Sequence, residues 1–391
     1  MNIESFFRTF NPKPSSPSIS VRHGPPFFSQ CERFNLPFHY GEHRFDRMKQ
    51  PAWRIWDLLI QERISESVGM EQILFLDLET TGLSGGTGTI PFLIGLAWIS
   101  EQQLVVEQLV LNELSALELM LEELRCRAAP YQWLVTYNGK SFDASVIRSQ
   151  FRLNRLGESP LDRMFHFDLL HICRRIWKNE YDGYPLSRME SELLGYVRND
   201  DLPGSLIPEQ YFRYLRRRDS EIIQPILEHN RADMISLVGV FDRIDGLAGD
   251  PRLQSKQVCN IIDFSFRSGK YDQAHDWAEE MATRNWPESG MASILYRDGR
   301  LLRKMGRYRE ACEVWNRSGT GESMLELAKL YEHTLKDPNQ ALACAKQSRS
   351  CLQDQDYWFR FMPRAGEGNR IHQIMDDLDK RIVRLEKRLS L

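Results

Sequence analysis

An aspartate and a glutamate two residues apart close an otherwise apolar run, ILFLDLETTGL. Side chains at i and i+2 of a β-strand point to the same face, so Asp77 and Glu79 project together. Ile73, Leu74, Phe75, Leu76 and Leu78 mark the run as a strand buried on both faces. Two ionised carboxylates about 4 Å apart at an effective dielectric near 20 repel by roughly 4 kcal/mol. A divalent cation with oxygen ligands is the usual compensation. On spacing alone, a cap for the following turn plus a carboxylate held by an arginine fits as well.

Two further acids fit the same site. QWLVTYNGKSFDASVI reads as a strand over Trp133–Tyr137, a glycine turn and a helix starting near Ser141. Asp143 falls in that helix's first turn, where the macrodipole favours negative charge; taken alone, it is simply a cap. The helix ILEHNRADMISLVGVFDRI carries His229 and Asp233 four residues apart, on one face. Asp233 lies at the edge of the apolar stripe, where an unpaired acid is costly. A His/Asp pair at this spacing is more often an ordinary hydrogen bond than a catalytic pair.

In order, the motifs are an acid-x-Glu strand, N-x3-F-D (Asn138, Phe142, Asp143) and a helix with His229 and Asp233. Over residues 71 to 245 this resembles the three motifs of the DEDD exonucleases, which have the ribonuclease H-like fold. FLDLETTGL, YNGKSFD, HFDLLH and HNRADMISL are closer still to the YprB-like branch of ribonuclease H-like families. The resemblance implies 3′-5′ exonucleolytic hydrolysis of phosphodiester bonds in RNA or DNA, with two Mg2+ or Mn2+ ions. It implies metal ligation by Asp77, Glu79, Asp143 and Asp233, with Asp77 bridging, and His229 as general base. It also implies substrate contacts from Asn138 and from Thr80, Thr81, Gly82 and Leu83, whose backbone N–H groups would meet the terminal nucleotide. One departure stands out. His229 precedes Asp233 by four positions, the tyrosine-type spacing, where histidine-type enzymes have five.

The elements between the motifs agree with that fold. Ile90–Ile99 and Leu104–Leu111 read as a hairpin, Ser115–Cys126 as a helix, and Phe165–Leu170 as a short apolar run. A hairpin followed by strand–helix alternation suits an α/β three-layer ribonuclease H-like domain. Asp168, at the end of that last run, is either a further site carboxylate or a cap. The glycine-rich SGGTGT stretch lacks the Gly-Lys-Ser/Thr ending of a phosphate-binding loop and reads as a turn at the site's rim.

The remaining sequence frames the domain. Residues 1–55 are expected to be an irregular basic arm, since Met1–Pro51 holds seven Lys/Arg against four Asp/Glu and is broken by NPKPSSPS and HGPP. The nuclease domain is placed at 56–247. From 254 to 352 the pattern is all-helical, and Ala274, Ala311 and Ala341 recur at spacings of 37 and 30 residues. Those spacings bracket the tetratricopeptide period of about 34 residues, so the stretch resembles degenerate repeats of that kind, an all-α scaffold for a protein partner. Residues 370–391 are expected to cap it with a seam of Ile371, Ile374, Leu378, Ile382, Leu385 and Leu389.

The net charge of −3 over 391 residues gives no global nucleic-acid signature, so any binding surface is local. Seven cysteines without a C-x-x-C pair suit a reducing cytoplasm and offer no zinc site. No apolar run is long enough for a bilayer, so no membrane partner is expected. The rival to a nuclease is a catalytically weak or inactive nucleic-acid-binding protein whose repeats recruit a partner.

Overall fold

The computed structural model describes residues 25–46, 51–61, 64, 69–82, 88–354 and 368–390. Two compact units emerge. The first gathers residues 1–48, 70–168 and 190–239; the second gathers 49–69, 169–189 and 240–391.

The first unit is built on a six-stranded mixed sheet. Its strands are β1 (Phe27–Asn35), β4 (Ile73–Thr80), β5 (Pro91–Ser100), β6 (Gln103–Leu111), β7 (Trp133–Thr136) and β8 (Phe165–Asp168), while β2 (Phe38–Tyr40) and β3 (His43–Phe45) form a separate hairpin. The order across the large sheet is β1-β6-β5-β4-β7-β8. Pairing is antiparallel from β1 through β6 and β5 to β4, then parallel from β4 to β7 and β8. The largely apolar β4 therefore lies inside the sheet with neighbours on both edges, as its composition demands.

In chain order the helices are α1 (Trp53–Leu59), α2 (Leu117–Ala128), α3 (Asp143–Leu153), α4 (Leu169–Ile176), α5 (Leu186–Met189), α6 (Ile207–Arg217) and α7 (Ser220–Asp245). They continue with α8 (Ser255–Arg267), α9 (Tyr271–Ala282), α10 (Glu288–Lys304), α11 (Tyr308–Ser318), α12 (Gly321–Leu330), α13 (Pro338–Gln353) and α14 (Gly368–Leu389). Leu74, Leu76 and Leu78 of β4 pack in one core with Leu121 and Leu124 of α2, Phe151 of α3, Tyr211 of α6 and Leu227 of α7. None of the described helices is long and apolar enough to cross a membrane.

One stretch departs from its expected character. Residues 27–45, read as part of an irregular arm, form three strands, and β1 pairs along its whole length with β6 from Phe27↔Leu111 to Asn35↔Gln103. The alternation FFSQCERFN is that of a half-covered edge strand; the prolines and glycines beside it masked the signal. Residues 1–24 of the arm lie outside the described residues.

The second unit is helical, and successive helices pack as pairs: α8 on α9, α10 on α11, α12 on α13. Ala274, Ala311 and Ala341 are all fully buried between helices, as are Trp277 and Trp315. The last helix, α14, lies along α13 and buries Leu378, Ile382 and Leu385, while Leu389 is exposed.

Candidate active site

The site forms where β4 ends. Asp77 and Glu79 share a face of that strand, and its register against β5 shifts between Glu79↔Leu93 and Thr80↔Pro91. The acids lie past the β4–β7 pairing, which ends at Phe75↔Val135, in the position where open α/β sheets bind ligands. Asp143 is the first residue of α3 and is buried at 4 % exposure. From α7, one turn brings His229 and Asp233 over the strand: His229 Nε2 lies 3.3 Å from Asp233 Oδ2 and 3.9 Å from Glu79 Oε1. Glu79, His229 and Asp233 each offer one ligand atom within 4.8 Å of one another.

Charge crowding is visible in the acids' proton affinities. Burial, then the charges of Asp233, Asp143 and Glu79, hold the Asp77 carboxyl well above the usual range. Burial lifts Glu79 to about 8; His229 opposes this, while Asp233 and Asp143 add to it. Burial also lifts Asp143 to about 7, against its own and Leu78's backbone N–H groups, with Asp168 pushing it further up. Asp233 goes the other way. Burial alone would raise it, but the His229 hydrogen bond and the Arg198 and His229 charges pull it below the ordinary value. Burial would lower His229, yet the Asp233 hydrogen bond and the Asp233, Glu79 and Asp201 carboxylates bring it to about 9.

Arg198, Tyr40 and Asp201 are positioning residues that carried no sequence signal as site residues. Arg198 is a buried hub: its guanidinium reaches Asp233 Oδ1 at 2.5 Å, Glu190 Oε2 at 2.8 Å and Asp201 Oδ2 at 3.2 Å. Tyr40 donates to Glu190 at 2.9 Å from the β2–β3 hairpin. His229 Nδ1 donates to Asp201 Oδ1 at 2.7 Å. Asp168 accepts the backbone N–H groups of Asn138 at 2.9 Å and Lys140 at 3.1 Å, fixing the turn that leads into α3. Asn138 takes a left-handed φ of 65° there and is exposed.

The Thr80–Leu83 stretch differs in detail from its expected role. The Thr81 N–H donates to Ile90 O at 2.9 Å, so it is already spent within the fold. Thr80 is buried, with its hydroxyl on Gly82 O at 2.7 Å. Gly82 has no left-handed φ, and an added Cβ would meet Thr89 Oγ1 only at an ordinary 3.6 Å, so steric need does not explain the glycine. Leu83 lies outside the described residues.

A mixed sheet of this order, with acids from its inner strand meeting acids from two helices, defines a ribonuclease H-like domain. A family model described as the RNase_H superfamily matches residues 74–244, and the chain belongs to that superfamily through this domain. The chain is 31 % identical over 347 residues to "Uncharacterized protein YprB" of Bacillus subtilis (strain 168), covering 83 % of this chain and 81 % of that protein. The chain is therefore a member of the YprB family. Superfamily members are generally hydrolases of phosphodiester bonds and typically use divalent metals, which makes nucleic acid the implied substrate.

Proposed function

We propose that this protein is a metal-dependent nuclease that hydrolyses phosphodiester bonds, stepwise from a 3′ end, with two magnesium or manganese ions. The observation that carries this reading is the gathering of acids at the end of β4: Glu79 and Asp233 offer ligand atoms within 4.8 Å of one another, with Asp77 on the same strand face and Asp143 buried at the start of α3. Acids gathered in this way without a cation repel one another, and an all-carboxylate donor set fits a hard divalent ion. Asp77, Glu79, Asp143 and Asp233 would hold the ions, which when bound supply an activated water and charge stabilisation at the phosphate. His229, 3.9 Å from Glu79 Oε1 and hydrogen-bonded to Asp201, would be placed to take a proton through Nε2 once bound cations offset the carboxylate charges that now hold the ring protonated. The exposed Asn138 beside the site is suited to touch a strand entering it.

The test is digestion of 5′- and 3′-labelled single- and double-stranded RNA and DNA with Mn2+ or Mg2+. Wild-type protein should shorten strands from the 3′ end, and Asp77→Asn or Asp233→Asn should abolish this while leaving the fold intact. Equal cleavage by variants and wild type would defeat the reading.

One observation favours a different assignment. Arg198 and His229 already balance Asp233 within the protein, as a metal-free site that only binds nucleic acid would require. Unchanged strands together with retained binding in chelator would support that alternative. In either case the paired helices, with Ala274, Ala311 and Ala341 at buried positions, support a degenerate tetratricopeptide-like scaffold suited to a protein partner.

A further inference from the structure

A row of side-chain amides crosses the sheet to the central acid. The register places Asp77 of β4 opposite Gly95 of β5, Gly95 opposite Gln108 of β6, and Gln108 opposite Gln30 of β1. Residues directly opposite one another share a face, so these four positions form one line beneath α7. Gly95 leaves a gap in that line, and Asn230 of α7 fills it. A Cβ at position 95 would fall 2.4 Å from Asn230 Oδ1, 2.8 Å from its Nδ2 and 2.9 Å from Met234 Sδ.

The hydrogen bonds run in one direction through the gap. Gln30 Nε2 donates to Gln108 Oε1 at 2.5 Å. Gln108 Nε2 donates to Asn230 Oδ1 at 2.9 Å and to the Leu227 carbonyl at 2.9 Å, one turn earlier on the same helix. Asn230 Nδ2 donates to Asp77 Oδ2 at 3.0 Å. Gln108 and Asn230 are both buried, at 2 % and 0 % exposure. Each amide thereby fixes the next. Flipping Asn230 would turn its oxygen toward the Asp77 carboxylate and its NH2 toward the Gln108 NH2, losing two bonds in a place where unmade bonds are costly.

We propose that Gln108 and Asn230 are positioning residues for the cation site, with Gly95 as the clearance that admits them. Asn230 holds Oδ2 of Asp77 through one hydrogen bond, and Gln108 holds Asn230 in the orientation that makes it, so the carboxylate would meet the ions with its plane already fixed. The inference rests on the nuclease reading above. Partners of this kind, one bond removed from a metal ligand, typically alter metal affinity by about 10–100-fold when mutated. Gln108 bonds to Gln30, Asn230 and the Leu227 carbonyl and to none of the four acids, which makes it the informative position.

The experiment is Mn2+ titration of the full chain by calorimetry and by the manganese electron-spin signal, with melting temperature measured separately in chelator. Asn230→Ala should weaken Mn2+ binding by about 10–100-fold, and Gln108→Met and Gly95→Ala should weaken it by about 10-fold. Gln103→Ala, at an exposed pair with Asn35 on the same two strands, should leave it unchanged. Excess Mn2+ should restore strand cleavage to Gln108→Met but not to Asp77→Asn. Wild-type affinity in a folded Gln108→Met variant would overturn the proposal while leaving the nuclease reading intact. A wild type that binds no Mn2+ would overturn both.

Discussion

The imidazole of His229 is held from behind by Asp201, whose Oδ1 accepts Nδ1–H at 2.7 Å, and this turns Nε2 toward Glu79 and Asp233. A carboxylate can only accept, so the bond fixes which nitrogen faces the acids. The four-residue spacing from His229 to Asp233 thus still delivers the ring into the site. Asp201→Asn should lower kcat by more than Asp201→Ala does, because an amide can present a donor to Nδ1 and invert the tautomer, whereas alanine leaves the ring free. His229→Ala should cost about 10²–10⁴-fold in kcat, the range for a lost general base. All three variants should keep wild-type substrate affinity in chelator, measured by fluorescence anisotropy. An unaltered kcat in His229→Ala would remove the histidine from the chemistry.

Cation binding should depend on pH with a definite sign. Glu79 and Asp143 are raised to about 8 and about 7, so at pH 6 the folded protein holds protons where cations must bind. Cations displace these protons, and affinity rises with pH until the acids ionise unaided. For the cation-free protein the same shifts are destabilising. An acid whose folded value is raised favours folding at low pH, and that contribution is lost as pH climbs toward the folded value. Melting curves with and without Mn2+ should therefore diverge progressively between pH 6 and 8, and Glu79→Gln should flatten the divergence. A stabilisation by Mn2+ that is constant with pH would contradict this.

The acids and the sheet core were legible because each carries a local signal. Asp77 and Glu79 interrupt an apolar strand, and Asp143 and Asp233 sit at helical positions that mark them. The hairpin expected at 90–99 and 104–111 forms at Pro91–Ser100 and Gln103–Leu111. Arg198 and Asp201 had no such signal. They lie in VRNDD, an irregular polar stretch whose role depends on meeting α7. Asn230 was hidden next to His229, although an isolated glycine within IPFLIGLAWI was a clue to close approach at Gly95. Edge strand β1 was missed because its alternation is short and flanked by turn-forming residues.

Arg198 should matter more to stability than any surface arginine. It is 10 % exposed and bridges Glu190, itself 1 % exposed, to Asp233. Removing one partner of a buried pair leaves an uncompensated charge and typically costs about 3–5 kcal/mol. Arg198→Ala should lose stability on that scale by urea denaturation, whereas Arg163→Ala, at a pair more than three-quarters exposed on its arginine side, should change it by less than about 1 kcal/mol. Because Asp233 is also a proposed ligand, Mn2+ should recover more stability in Arg198→Ala than in wild type. Equal recovery would show that the guanidinium and the cation do not share that carboxylate.

The helical unit has its own tight joint. Trp315 of α11 is fully buried and donates from Nε1 to the Tyr296 carbonyl of α10 at 3.0 Å. The indole reaches that carbonyl because Gly299 of α10 has no side chain. A Cβ there would lie 2.5 Å from Trp315 Cδ1 and 2.6 Å from Cε2. The ring is a rigid plane wedged between helices, so it cannot yield as a flexible chain end would. Overpacking of this kind costs about 1–3 kcal/mol, offset in part by the better helix propensity of alanine, up to about 1 kcal/mol. Gly299→Ala should therefore lower the melting temperature, and Gly299→Val should lower it further. Trp315→Phe, which removes the Nε1 donor and part of the ring, should relieve the clash, so that the double variant Gly299→Ala/Trp315→Phe loses less than the two single losses combined. Strict additivity in that cycle would mean the two residues do not touch in solution.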